Sequence, residues 1–431
     1  MGSQQPLLAD GESRGYSGYS ATPTFPADST TAVASAGQAR GSATETFFHI
    51  VCITAGAGVP QLPYALKQGG WIGALYIILA ATISAYTGNI LIKCLYYRQG
   101  TRLRSYSEVV EAAFGRYGQV VARGLKDFSL LGVACIFVAL AGINIGTLVS
   151  GTATDSLGPQ FWIAVSSVLV WLAIVLARDI HDLFALSVFG TLTTVATVLI
   201  IVWLGISDLE FMRVRPPTKL VDIGMAPMSL ASICFSFGGN LNWPDLEASM
   251  QSPKQWGRTL ALATAFITFI YLCVALVGYG VYGDLVKSPV LLSLPPGIPV
   301  VVANATITAH VLLACPIILA AVFIEAESDL GIGSGAGSSA RERIYGVLFR
   351  TAMMLVIAVT ALFVSDFSKI ATVLGAIAAS MAVFVIPVAC YVRLFQGQSA
   401  FSGLEYAWCT LIAGIGLICL VIGTSQAIAK L

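Results

Sequence analysis

Twice in this chain a stretch apolar enough to lie in a membrane is broken by glycine and proline. The first break is Gly56-Ala57-Gly58-Val59-Pro60-Gln61-Leu62-Pro63. The second is Ser236-Phe237-Gly238-Gly239-Asn240-Leu241-Asn242-Trp243-Pro244. Interior glycine costs a helix about 1 kcal/mol and interior proline about 3, and each proline removes a backbone hydrogen bond. In hydrocarbon the freed amides and carbonyls cannot turn to water. Such a break survives only where protein encloses it or it borders a polar cavity. Two breaks therefore demand a bundle of helices around them, and the composition supplies one. The 431 residues are 57% hydrophobic and 10% charged, with a mean hydropathy of +0.83, whereas soluble domains carry roughly 25% charge. So few charges cannot cover a water-facing surface, which excludes a soluble enzyme and a disordered chain. The balance of 23 basic and 22 acidic residues leaves no basic surplus for nucleic acid. Barrel strands alternate in polarity and would not raise the mean this far, leaving an all-α polytopic membrane protein.

Eleven apolar runs can each cross a core of about 30 Å, which takes roughly 20 residues. They lie near 46–66, 71–95, 122–150, 160–178, 183–207, 223–249, 258–281, 300–325, 345–364, 370–393 and 404–428. Residues 1–44, rich in Ser, Thr, Gly, Ala and Pro, read as a disordered cytosolic tail, and 45–431 as one transmembrane domain. With the tail in the cytosol, sixteen of the 23 Lys and Arg residues face the cytosolic side, so the positive-inside rule favours a cytosolic N-terminus. The nine cysteines sit in or beside apolar runs at no metal-ligand spacing and read as packing residues, with no metal or cofactor expected. Gly142 and Gly146 form a lone GxxxG that reads as helix packing.

The breaks fall in runs one and six, five apart. Interrupted helices in matching positions of two halves point to an inverted-repeat transporter with its site between them. The residues around the breaks are also similar to a known family. Gly56-Ala57-Gly58-Val59-Pro60-Gln61-Leu62-Pro63-Tyr64-Ala65, with Gly70-Trp71 and Gly73, resembles the first-helix motif of the amino acid/auxin permeases. Further stretches follow in that family's order. They are Ser105-Tyr106 with Ala113-Phe114-Gly115, Pro244-Asp245-Leu246-Glu247-Ala248-Ser249-Met250 with Pro253, Gly278 to Asp284 with Ser288-Pro289, and Gly375-Ala376 with Phe384 and Pro387. The resemblance implies about eleven transmembrane helices in a leucine-transporter-like fold, with helices 1–5 and 6–10 as inverted repeats and helices 1 and 6 discontinuous. It also implies secondary transport of amino acids. The chain departs from the family at Pro60-Gln61, at Asn240 (His in some plant members) and at Glu247 (more usually Gln).

An amino acid brings a carboxylate and an ammonium to such a site. Freed N–H groups at Gly56, Ala57 and Gly58, backed by a half-helix dipole, suit the carboxylate. Unwound carbonyls around Ser236, Phe237 and Gly238 suit the ammonium. Asn240 and Asn242 either add side-chain contacts or hold the broken backbone together. His49, seven residues before Gly56, lies about two turns away on the same helical face. Its imidazole titrates near physiological pH, so it is a proton-coupling candidate, or else a hydrogen-bonded interfacial residue. The resemblance supports the coupling role, since some family members carry a histidine at this spacing. Intramembrane carboxylates are functional by default, which adds Asp245 and Glu247 as proton carriers, unless they sit in a wet vestibule or pair with a cation. His310, mid-run without an obvious partner, reads as packing or a hydrogen bond, and Asp127 as a local partner of Lys126. A sodium site of this fold would use hydroxyls in helix eight; Leu312 to Ile317 offers none, although Thr306 and Thr308 lie earlier, so the proton is the expected coupling ion and sodium the alternative. The alternative function is an amino acid-sensing receptor with the same pocket. A membrane-embedded protease is excluded, because HExxH is missing and Val281-Tyr282-Gly283-Asp284 fails GxGD. The expected partners are an amino acid substrate and the lipid bilayer, in a plasma membrane or a vacuolar or lysosomal membrane.

Overall fold

The computed structural model describes residues 41–56, 58–98, 100–149, 157–176, 183–211, 215–332, 340–364, 366–396 and 402–429. Residues 1–40, which hold most of the tail expected over 1–44, and Ala57 lie outside them. The first run forms two helices, α1 (Ala43–Thr54) and α2 (Leu62–Gly69), joined through a tight turn at Val59–Gln61. Then come α3 (Gly73–Leu95), α4 (Tyr106–Leu148), α5 (Gly158–Leu176) and α6 (Leu183–Phe211). The sixth run is again divided, into α7 (Ala226–Ser236) and α8 (Trp243–Ser249), and α9 (Trp256–Tyr282), α10 (Ile298–Asp329) and α11 (Ala340–Phe363) follow. The tenth run is α12 (Phe367–Leu374), a π-helical stretch Gly375–Val385 and α13 (Ile386–Phe395). The eleventh is α14 (Gly403–Ile418), a π turn Cys419–Gly423 and α15 (Thr424–Ile428). Among the described residues, nine helices are long and apolar enough to cross a membrane. The two expected runs missing from that set are the broken ones, whose halves of 12, 8, 11 and 7 residues are each too short to span.

Local chemistry sets the ends. Ser42 Oγ accepts from the Glu45 amide at 3.2 Å, and Glu45 Oε2 accepts from the Ser42 amide at 3.0 Å. This capping box starts α1 at Ala43, ahead of the expected boundary at 44. Just before it, Gly41 donates its amide to Ser249 O and accepts from the Gln251 amide, which ties the start of the first broken helix to the end of the second. In α4, Gly115 has φ 73°, a left-handed conformation that glycine adopts without strain. The chain turns there, so a short segment from Tyr106 precedes the long helix and the third run begins earlier than expected.

The packing carries the repeat. Counting each broken pair once and numbering the runs 1 to 11, run 1 packs on 5 and 7, and run 6 packs on 10 and 2. Run 5 touches 7 and 8, as run 10 touches 2 and 3. Run 4 touches 8, as run 9 touches 3. Each relation becomes its counterpart when five is added to or subtracted from the run number. Five crossings is an odd number, so the second set runs in the opposite sense and the repeat is inverted.

Two sets of contacts hold the ends of the bundle. At the end where α2 finishes, the segment before α7 lies across the helix tips. Trp71 and Ile72 donate to Lys219 O and Leu220 O at 3.0 and 3.2 Å, and Asp222 and Asp284 donate to Gly69 O and Pro217 O at 2.9 Å. Lys219 Nζ sits 3.2 Å from Asp222 Oδ2 and holds that carboxyl below its ordinary pKa of 3.8. A depressed carboxylate pKa contributes fully above the ordinary value and fades only as pH falls through the lowered one, so an acidic compartment leaves the clamp intact. At the opposite end, where α1 starts, Lys126 reaches Glu325 of α10 at 3.1 Å, a partner that the sequence did not indicate. Glu327, fully buried, receives Arg350 Nε and Nη2 at 2.6 and 2.9 Å. Removing one member of a buried pair costs about 3–5 kcal/mol, because the other charge is left bare. Arg350→Ala is therefore expected to lower the melting temperature in detergent markedly, and adding Glu327→Leu to restore most of it.

Candidate functional site

The two breaks meet. A Cβ on Gly58 would stand 2.8 Å from Ser236 Oγ and 3.0 Å from Ser236 Cα, so only a residue without a side chain lets the first break lie against the end of α7. Ser236 Oγ donates to Gly58 O at 3.3 Å. Gln61, buried in the first break, donates from Nε2 to Ser232 O at 2.7 Å. The helix ends themselves are joined by a residue from outside both breaks. Tyr271 of α9 places its hydroxyl 2.7 Å from Thr54 O and 2.7 Å from Ser236 O, sharing one proton between the last carbonyls of α1 and α7. Each of those helix ends carries the negative pole of its dipole, so the hydroxyl sits where a positive charge is favoured.

The residues singled out in the sequence divide by their partners. Gly56 and Gly58 are buried at the first break, and Ala57 lies outside the described residues. Ser236, Phe237 and Gly238 form the end of α7. The Phe237 ring stands edge-on to Tyr271 at 5.1 Å, and its carbonyl accepts from Ser84 Oγ at 3.3 Å. Asn240 is fully buried and turned to α3, donating to Thr87 Oγ1 at 3.0 Å and accepting from Ser84 Oγ at 3.4 Å. Its amide thus holds the unwound backbone to the neighbouring helix. Asn242 stands at the N-cap of α8 but makes no side-chain capping bond. Asp245 is exposed in the first turn of α8.

Glu247 lies on the other side of that helix, fully buried. Tyr96 donates to its Oε1 at 2.7 Å, and Arg102 Nη2 and Nε donate to Oε2 at 2.6 and 3.0 Å. Arg102 also donates to Pro244 O at 2.7 Å. The carboxylate is thereby matched by a guanidinium from the segment between α3 and α4. His49, on α1, has Nδ1 2.6 Å from Ser187 Oγ of α6.

Among the described residues, the buried polar atoms without a hydrogen bond include Thr54 Oγ1, Gln61 Oε1, Trp243 Nε1, Trp256 Nε1 and His310 Nε2, and others, such as those of Asn144, Asn304 and Thr308, lie elsewhere in the bundle. Thr54, Gln61 and Trp243 belong to the breaks, and the Trp256 ring packs at a tilt against Trp243 with centroids 5.9 Å apart. Buried polar groups are almost always paired, so such atoms mark where a polar ligand or water completes the bonding. Tyr271 and Thr54 were not among the sequence candidates. Tyr271 stands inside an apolar run, and nothing in its neighbours marks its hydroxyl as the bridge. Tyr271→Phe is expected to leave two helix-end carbonyls unpaired, costing roughly 1–3 kcal/mol. A thermal shift in detergent reads that loss, and an unchanged melting temperature contradicts the bridge.

Against this geometry, comparisons with known proteins agree. Residues 39–429 match the family described as transmembrane amino acid transporter protein. The amino acid transporter AVT1E of Arabidopsis thaliana is 27% identical over 388 residues, covering 88% of this chain and 71% of its own length. The vesicular inhibitory amino acid transporter of Xenopus tropicalis is 26% identical over 410 residues, covering 91% and 77%. Among solved structures, MhsT in complex with L-phenylalanine superposes with a TM-score of 0.55 at 10% identity, over 91% of this chain and 100% of that one.

Proposed function

The chain belongs to the transmembrane amino acid transporter family, and we propose that it moves amino acids across its membrane by alternating access, with the proton as coupling ion. The observation that carries this reading is the meeting of two broken helices around unpaired polar atoms. The negative ends of α1 and α7, converging on Tyr271, suit an ammonium. The backbone beyond Gly56 and Gly58, leading into the N-terminus of α2, suits a carboxylate. The relatives' printed names support amino acids as the cargo.

In this reading Glu247 serves as a gate. With Arg102 and Tyr96 it fastens α8 to the loop after α3, and Gly41 binds Ser249 and Gln251 at the end of that helix. Both must release for the site to open towards the end where α1 starts. The excess of basic residues at that end supports assigning it to the cytosol. The membrane is then a plasma membrane or a vacuolar or lysosomal one. His49 and Asp245, the latter exposed at the gate, remain the sequence's proton candidates. An imidazole rather than a hydroxyl stands on α10 beside Gly56, which supports a proton over sodium.

Purified protein in liposomes, offered each class of labelled amino acid, tests this. Accumulation driven by a pH gradient is expected. Accumulation that ignores pH and follows a sodium gradient rejects the proton, and saturable binding without flux favours a sensor instead. Arg102→Ala strips a buried carboxylate of its cation, at roughly 3–5 kcal/mol if α8 stays docked. The expected result is a gate resting open and accumulation reduced by on the order of tenfold or more, with cysteine labelling at Ser249→Cys increased.

A further inference from the structure

His310 is buried at 2% exposure in the middle of α10, and its Nε2 makes no hydrogen bond among the described residues. The ring is held in a space left by two glycines from two other helices. A Cβ on Gly56, at the first break, would stand 3.1 Å from His310 Nε2. A Cβ on Gly190 of α6 would stand 2.6 Å from His310 Nδ1 and Cε1, and 2.6 Å from Cys52 Sγ. The imidazole is thus wedged where the end of α1, the middle of α6 and the middle of α10 come together. Cys52 O flanks the same point, 3.7 Å from the position of a Gly56 Cβ.

The seam continues along one face of α1. His49, Cys52 and Gly56 are spaced i, i+3 and i+7, which aligns them on a helix. Opposite them on α6 stand Ser187, bonded to His49, and Gly190. The titratable groups facing this seam are few. From α1 they are Glu45, one turn before His49, with His49 and Cys52, and from α9 Tyr271. No Asp, Glu, Lys or Arg occurs on α4 between Phe128 and Leu148, on α5, on α6 between Leu186 and Ser207, or on α10 between Ile298 and Phe323. No fixed cation or carboxylate in these stretches therefore offsets a proton on the ring.

We propose that His310 binds the coupled proton. This rests on the transport reading above and deepens it. Neutral, the imidazole leaves Nε2 without a partner. Protonated, it forms an N–H bond at Nε2 and carries its positive charge beside the carbonyl end of α1, where the half-helix dipole favours a cation. Proton binding draws α1 against α6 and α10, and proton loss frees the end of α1 to move. That difference in proton affinity between the two arrangements is what coupling requires. His49 and Ser187, further along the seam, connect His310 to the end of the bundle where α1 starts. The proton arrives from one side and leaves to the other as H+, with no other bond made or broken.

The test uses the full chain in liposomes, with the amino acid that the wild type accumulates. The readout is the ratio of uptake with an inward pH gradient to uptake without one. His310→Gln is expected to bring that ratio to about one; a wild-type ratio in His310→Gln overturns the proposal. If His310→Gln does not yield folded protein, His49→Gln decides. It keeps His310 and is expected to retain a ratio above one with slower uptake, whereas a ratio of one there places the proton on His49 and overturns the proposal. A wild type that accumulates no amino acid under either gradient ends the transport reading itself. One driven only by sodium ends the proton reading and this proposal together.

Discussion

The hydrogen-bonding demand of broken backbone inside a bundle governs this structure. α1 and α7 each stop in the interior, and their last carbonyls have no amide four residues on. One hydroxyl, from Tyr271, serves both ends. Around it, Gln61, Ser84 and Asn240 bind the remaining unwound segments to neighbouring helices. Gly58 permits the two breaks to touch, because any Cβ there would collide with Ser236. The π-helical stretch Gly375–Val385 packs against α7, with Gly375 set directly against the Ala231 carbonyl. The protein thus encloses its irregular backbone, and Thr54, Gln61 and Trp243 at those breaks are among the described residues that keep a buried polar atom unpaired.

Charge follows the same logic. The buried carboxylates Glu247 and Glu327 each receive an arginine in two contacts, which offsets the desolvation that an isolated carboxylate could not bear. The pairs differ in what they join. Glu327 and Arg350 link two long neighbouring helices, whereas Glu247 and Arg102 hold the seven-residue α8. A charge pair on a short half-helix can be released at much smaller structural expense than one between long helices. In the transport reading proposed above, this difference assigns Glu247 to a gate and Glu327 to a fixture.

Much of the fold was legible because membrane crossing imposes length and polarity rules on the sequence. Nine of the apolar runs appear as long apolar helices, and the remaining two are the ones broken by glycine and proline. Membership of the family agrees with the motifs around those breaks. Boundaries were less legible: the early start of the third run depends on a turn at Gly115, and that of α1 on the Ser42 capping box. The contact of Lys126 with Glu325 was not legible, because a helix about two hundred residues away in sequence supplies it.

At the site, glycine and proline marked where the helices stop, since those residues alone alter backbone freedom enough to be read without a structure. The sequence by itself therefore determined that the chain spans a membrane, that it has two broken helices five runs apart, and which glycines stand at them. Only the tertiary structure decided that Asn240 turns to α3, that Glu247 is matched by Arg102, and that Tyr271 bridges the helix ends. It alone brought His310 between Gly56 and Gly190. Those outcomes depend on which face of one helix meets which face of another. Apolar composition, nearly uniform around each of these helices, does not encode that choice.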